Sequence, residues 1–387
     1  MAQQSTNDPA SQLNLGRING AGNATNNRDL YLKLFSGEMF TGFQRETIAR
    51  DLVQKRTLTN GKSLQFIYTG RTTAEYHTPG NSILGNDQKA PPVAEKTITV
   101  DDLLISSAFV YELDETLSHY ELRGEISRKI GYALAQKYDR LIFRAIAKGA
   151  RQASPVSMTN FVEPGGTQIQ VGGGSDADDA YNSTHLINAF YDAAAALDEK
   201  GVSEDGRVAV LTPRQYYALI QNIESNGLIN RNERGDALQS GNGIIEIAGI
   251  QIFKSMNIPF FSKYGTKYAP ASGASAGTDL ATVDPGNTGS WVSEGIETAN
   301  TATGNNYGAR QNYGAASNFA NSCGLIFQRE AAGVVETIGP QVQVTSGDVS
   351  VVYQGDVILG RMAMGADYLN PAAAVELYVG ATAPSAF

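Results

Sequence analysis

The sequence predicts an α+β chain, and three observations carry that reading. A stretch of about 30 residues keeps an unbroken helical period, longer than an ordinary globular helix. Two period-two runs, "KSLQFIYTG" and "EKTITVDDLLI", stand either side of a long connection rich in Gly and Pro. A compact alternation of helical and strand patterns from 183 to 262 precedes strands rich in Val and Ile. The parts expected are an N-terminal arm over 1–60, a hairpin loop over 61–100 and a domain over 101–182 whose long helix spans 118–148. A compact domain follows over 183–330, with an insertion at 265–320, and terminal strands over 331–387 return to the helix-bearing domain.

Residues 1 to 27 are polar and too poor in apolar side chains to offset the entropy of ordering, which predicts a mobile arm. The segment 30–48 is densely apolar, with Tyr31, Phe35, Phe40 and Phe43. It is either an ordinary buried helix or a strip that packs on a neighbouring subunit. Gly61-Lys62-Ser63 has the form of the end of a phosphate-binding loop, but Arg56 stands where that loop needs a glycine. Leu64, Phe66 and Tyr68 then alternate with polar residues, so a strand follows the lysine and not a helix. The hairpin over 61–100 cannot be stable alone and needs a surface to bury against.

In the long helix, Ser118 and Glu121 form a capping box, and Leu122, Ile126, Ile130, Leu134, Tyr138, Leu141 and Ala145 recur at steps of three or four. Gly149 is its expected stop. At ~1.5 Å per residue the rod is roughly 45 Å long. A loop-rich segment with short strands leads to an amphipathic helix carrying Leu186, Phe190, Ala194 and Leu197, closed by Gly201. "RVAVLTP" reads as a buried strand running into Thr212 as N-cap and Pro213 as first helical residue, and "GIIEIAGIQIFKS" as two strands around Gly249. "CGLIFQRE", 323–330, completes that domain. The stretch from 265 to 320 has too few large aliphatics for a core of its own; it is a linker or, with Trp291, Tyr307 and Tyr313 as anchors, an ordered insertion gripped by a neighbour.

Composition narrows the function. The chain has 387 residues, 42% hydrophobic and 18% charged, enough to bury a sizeable core. A formal net charge of -9 argues against a general binder of nucleic acid or of anionic membranes. The N-terminus lacks a basic start followed by an apolar run, so no signal peptide is expected, and no apolar stretch approaches the ~18 residues of a membrane span. Cys323 is the sole cysteine and sits in an apolar strand, where a buried structural thiol is expected. His77, His119 and His185 are scattered, without metal-ligand spacing. Glu112, Asp114, Glu115, Glu121 and Glu125 cluster, but they flank a helix N-terminus where negative charge is favourable; pairing with Arg71 or Arg128 is the more economical expectation than catalysis.

Five segments carry a family resemblance: "LYLKLFSGEMFTGF" (30–43), "GKSLQFIYTGRTTAEYHTPG" (61–80), "EKTITVDDLLISSAFVYELDETLSHYELRGE" (95–125), "GLIFQREAAGV" (324–334) and "MAMGADYLNPAAAVEL" (362–377). They resemble the major capsid proteins of tailed bacteriophages, the Hong Kong 97 type fold, and more closely those of short-tailed phages of the autographivirus group. The resemblance implies an N-terminal arm, an extended loop reaching over the adjacent subunit, a spine helix in a peripheral domain and a compact axial α/β domain. It implies a shell subunit of the virion, assembled in the host bacterial cytoplasm into hexamers and pentamers of an icosahedral head around double-stranded DNA. A scaffolding protein during procapsid assembly and a portal at one vertex are the implied partners; no cofactor, metal, membrane or catalysis is implied.

The candidate inter-subunit contacts are Phe35, Phe40, Phe43, Arg71, Glu75, Glu112, Asp114, Glu115 and Arg128. Two departures limit the resemblance. The stretch 265–320 is longer and lower in complexity than in coliphage-type proteins, and no lysine, asparagine and glutamate set matches the cross-linking of the fold's founding member. Two other readings remain: an encapsulin-type cellular compartment shell, which would begin with a cargo-docking helix where 1–27 is polar, and an enzyme built on the 112–125 cluster.

Overall fold

The computed structural model describes residues 48–72, 76–80, 91–100, 103–111, 122–156, 163–174, 177–220, 245–255, 257–258, 322–344 and 354–384. The arm before residue 48, the capping box at Ser118 and Glu121, and the insertion 265–320 lie outside these. The described residues fall into two compact units, one drawn from 102–137 and 337–364, the other from 46–101, 138–336 and 365–387.

In the first unit, strand β4 (Leu104–Tyr111) runs antiparallel to β11 (Gly355–Tyr368), with Tyr111 opposite Gly355 and Leu104 opposite Met362. The first half of helix α2 (Leu122–Ala150) buries Ile126, Ile130 and Leu134, the expected apolar stripe, the last two against Gly360 of β11, while Arg128 and Lys129 stay exposed. Gly360 makes that contact close: a Cβ there would lie 2.3 Å from Ile130 Cγ2. Strand β10 (Ala332–Val344) ends in this unit with exposed residues.

The second unit is built on a six-stranded sheet in the order β5-β12-β9-β6-β8-β7. Its strands are β5 (Thr167–Gln170), β6 (Arg207–Leu211), β7 (Ile245–Ile247), β8 (Ile250–Lys254), β9 (Ser322–Gln328) and β12 (Ala374–Tyr378). Helices α3 (Ser183–Glu199) and α4 (Pro213–Ile220) cover one face, where Leu186, Phe190, Leu197 and Leu219 meet Leu211, Ile250, Ile326 and Leu377. Val210, Leu325 and Phe327 alternate to the opposite face and are buried as well. Burial on both faces explains why "RVAVL" reads as an unbroken apolar run.

The local signals are met in kind. Asn182 caps α3, its Oδ1 accepting from Thr184 N–H at 3.0 Å, and Gly201 ends the helix at φ +73°. Thr212 and Gln215 bond each other reciprocally ahead of Pro213, a capping box that opens α4. Ala248 and Gly249, both at positive φ, make the two-residue turn between β7 and β8.

Three features depart from the sequence reading. Gly149 does not stop α2, which continues to Ala150; it sits where a Cβ would be 2.8 Å from Tyr368 Cβ, so close packing and not chain reversal requires it. The terminal strands divide: β12 pairs with β9 and β5 inside the six-stranded sheet and does not return to the spine helix's first half. The second half of α2 belongs with that sheet's unit, and from Tyr138 to Ala147 every side chain is buried.

This unit also holds helix α1 (Ala49–Leu52), strand β1 (Gln54–Thr57), parallel to β10 from Gly333 to Glu336, and the hairpin of β2 (Ser63–Thr69) and β3 (Val93–Thr99). Gly365 lies at the hairpin's base, where a Cβ would come within 2.0 Å of the Thr99 carbonyl oxygen. Gly131, mid-helix, has open space around it. Thermal unfolding of the subunit should therefore show Gly131→Ala neutral to stabilising by up to ~1 kcal/mol, and Gly365→Ala destabilising by about 1–3 kcal/mol.

Candidate functional site

Gly61-Lys62-Ser63 sits at a turn and a strand start: Gly61 has φ +99°, and Lys62 O accepts the Val100 N–H at 2.8 Å. The hairpin it opens has two unlike faces. Leu64, Phe66 and Tyr68 pair with Ile98, Lys96 and Ala94 on a half-buried inner face. Lys96 Nζ lies 3.1 Å from Asp367 Oδ2 and 3.6 Å from the centre of the Tyr368 ring, and Lys148 reaches the same carboxylate at 3.4 Å. Burial, then the negative charge of Glu330 and Asp367, pushes the Tyr68 phenol far up, so it stays protonated. On the outer face Ile67 is 76% and Val93 58% exposed. The surface that the hairpin needed is thus partly its own chain, and among the described residues its outer face is exposed at Ile67 and Val93.

Arg71 belongs to a strap at the hairpin's far end. Its Nε lies 3.2 Å from Glu163 Oε2, its backbone N–H donates to Glu163 Oε1 at 2.7 Å, and its Nη2 donates to Lys200 O at 3.0 Å. Lys200 in turn donates to Gly165 O and Thr167 Oγ1. Arg128 pairs with Glu125 one turn earlier on the helix, at 2.8 Å. Phe35, Phe40, Phe43, Glu75, Glu112, Asp114 and Glu115 lie outside the described residues. His185 lies 3.7 Å from Asp179, His77 is exposed, and among the described residues no three His, Cys, Asp or Glu side chains gather as metal ligands would. Burial pushes the Cys323 thiol far up, which makes it a poor nucleophile. No described helix is long and apolar enough to cross a membrane.

The strongest electrostatics are buried, at residues the sequence reading did not single out. Arg151, just past α2, grips Glu376 of β12 in two bonds, Nε to Oε2 at 2.7 Å and Nη2 to Oε1 at 2.6 Å, with both side chains fully buried. Ser322 and Gln168 donate to the remaining lone pairs of that carboxylate. Glu336 takes Lys55 at 2.6 Å, Arg50 at 3.4 Å and the Tyr138 hydroxyl at 2.8 Å. Asp139 accepts from the N–H groups of Ile48 (2.9 Å) and Ala49 (3.1 Å) and from Asn257 Nδ2 (3.3 Å). Glu336 and Glu376 were marked in the sequence by a single charge inside an apolar run, "GVVETIG" and "AAAVELYVG", whereas Asp139 in "YDRLIF" adjoins Arg140.

The two acids that meet 48–55 titrate in opposite directions. Burial raises the Asp139 carboxyl to about 6, against the smaller opposing pull of its hydrogen bonds. Burial would raise Glu336 too, but Lys55, Tyr138 and Arg50 together hold it below the usual carboxylate range. A folded-state value above the unfolded one means that Asp139 contributes stability below its ordinary value and loses it as pH rises through about 6. Glu336 contributes above its ordinary value and loses that as pH falls. From pH 4 to pH 7 the stability of Asp139→Asn should gain on the unaltered chain by about 2–3 kcal/mol in denaturant titrations; a constant difference would show that Asp139 does not titrate in that window. Arg151→Leu, which strands Glu376 in the interior, should cost about 3–5 kcal/mol in the same assay.

Comparison with known proteins agrees with this architecture. Residues 65–295 match the Gp10A-like family, described as major capsid protein. The major capsid protein of Escherichia phage T7 is 27% identical over 353 residues, covering 89% of this chain and 90% of that one. That of Enterobacteria phage T3 is 29% identical over 217 residues, 55% of this chain and 62% of its own. Among solved structures, the capsid of cyanophage P-SCSP1u superposes with a TM-score of 0.67 at 29% identity, over 95% of this chain and 98% of that one. The mature capsid of bacteriophage PhiM1 shares the fold, with a TM-score of 0.60 at 14% identity over 95% and 98%. With more than half of its residues matched to one family model, the chain belongs to the Gp10A-like family of major capsid proteins.

Proposed function

We propose that this phage major capsid protein closes a lattice of its own copies, hexamers and pentamers of an icosahedral head around double-stranded DNA, and does so without cofactor or catalysis. As a structural protein of the virion it forms the capsid shell, and the neighbours reported above are phage capsids, not encapsulins. The observation that carries the finer reading is the hairpin. Its inner face is committed to its own chain while its outer face exposes Ile67 and Val93, a surface suited to a second subunit. Head-to-tail contacts of that kind close into rings. The acidic balance of the chain suits a container whose lining does not hold the duplex it encloses.

On the same reading a scaffolding protein guides a looser precursor shell, a portal occupies one vertex, and helix α2 shifts as the lattice flattens. The segment 30–43, with Phe35, Phe40 and Phe43, packs on a neighbouring subunit. Glu75, Glu112, Asp114 and Glu115 join Arg128 as lattice contacts. Arg71 anchors the hairpin through Glu163 before it makes any contact with a neighbour. The parts 1–60, 61–100, 101–182, 183–330 and 331–387 correspond to arm, loop, peripheral domain, axial domain and returning strands, with β12 assigned to the axial sheet.

Electron microscopy of the chain co-expressed with its neighbouring genes, with sedimentation to catch hexamers, tests the proposal. Closed shells are expected, and they should disappear on deletion of residues 70–92. A monomer under every condition, partners included, would refute the lattice.

A further inference from the structure

Residues 48–58 join the two segments that the proposed function assigns to lattice contacts, the N-terminal arm before them and the hairpin after. This joint is held unusually firmly for so short a piece of chain. Ala49 and Val53 are 0% and 1% exposed, Gln54–Thr57 run parallel to Gly333–Glu336, and Leu58 N–H bonds to Glu336 O at 2.8 Å. Ile48 begins α1 with no side-chain cap of its own, so the first N–H groups of that turn lack a local acceptor. Asp139, about 90 residues away in sequence, supplies it with both carboxylate oxygens. Arg50 and Lys55, from the same joint, close on Glu336. The helix residue that holds Glu336 is Tyr138, the immediate neighbour of Asp139.

Two acids, 1% and 4% exposed, thus fasten one short segment to one turn of α2. We infer that Asp139 and Glu336 form a carboxylate clamp that fixes the common root of the N-terminal arm and the hairpin to the second half of the spine helix, so that this root moves with the turn at 138–139. Asp139 and Glu336 are positioning residues: both are buried within the subunit, and they set where the contacts made by others begin. The clamp's consequence for the shell rests on the proposed function, whereas the clamp itself is a property of the single subunit.

Hydrogen exchange of the full chain separates the two. In Asp139→Ala the peptide over 48–58 should exchange about tenfold faster or more, the loss of a buried acceptor for two amides, while the β6 peptide over 207–211 keeps its rate. Asp139→Asn, which retains one acceptor, should fall between. Arg50→Ala, at a half-exposed partner of Glu336, should give a smaller acceleration in the same peptide and serves if Asp139→Ala fails to fold. Unchanged exchange at 48–58 in all three, or acceleration spread equally to β6, would overturn the clamp. If the unaltered chain forms no shells, the lattice reading fails, and these exchange rates still decide the clamp. Where shells form, those of Asp139→Ala should lose the arm to trypsin faster than unaltered shells, and equal rates would refute the coupling of the arm's root to the helix.

Discussion

A helix that begins half in water and ends wholly inside the protein must answer for every charge it carries inward. Helix α2 takes Asp139, Arg140 and Arg144 into the interior, and Arg151 follows directly after it. Burying an ionised group without partners costs several kcal/mol, so the surroundings of the helix are shaped by the need to pair them. The partners come from far along the chain: Ile48, Ala49 and Asn257 for Asp139, Ser322 and Glu376 for Arg151. Each pairing draws a remote segment onto the same rod, and the six-stranded sheet is joined to it through Glu376 in this way. A core of Leu and Phe alone would hold the layers together but would not specify which segment meets which turn.

Much of this was legible in the sequence, for reasons of local physics. The helical stripe of α2, the Gly201 stop, the helix start at Thr212 and Pro213, and the turn at Gly249 all arise from interactions within a few residues, and sequence spacing records those directly. Alternation along Leu64, Phe66 and Tyr68 gave the hairpin its faces. The place of β12 was not legible. A strand buried on both faces reads the same whichever sheet it enters, and its position between β5 and β9 follows from contacts hundreds of residues apart. Gly149 misled because a glycine near a helix end has two uses, chain reversal and close approach, and the second depends on Tyr368.

The functional surface was read unevenly for the same reason. The charges conspicuous in the sequence, such as the cluster from Glu112 to Glu125, are those where like residues adjoin. Of the acids with the most partners, Glu336 and Glu376 each stand as a single charge in an apolar run, while Asp139 adjoins Arg140. Isolation in an apolar run is the better mark of a buried charge, since a solvated face rarely carries one acid amid aliphatics. Arg71 shows the converse: its role in the loop came from resemblance, while its tie to Glu163 could not, because segment 163–167 carries no signal of lying beside the hairpin.

The placement of β12 bears on how the chain is made. A ribosome delivers β5, β6, β8 and β9 well before residues 374–378, yet β12 is the strand that joins β5 to the others. Until it emerges, β9 has an open edge and Arg151 lacks the carboxylate that neutralises it. The nascent sheet therefore stays open until β12 emerges, and such non-local closure is slow.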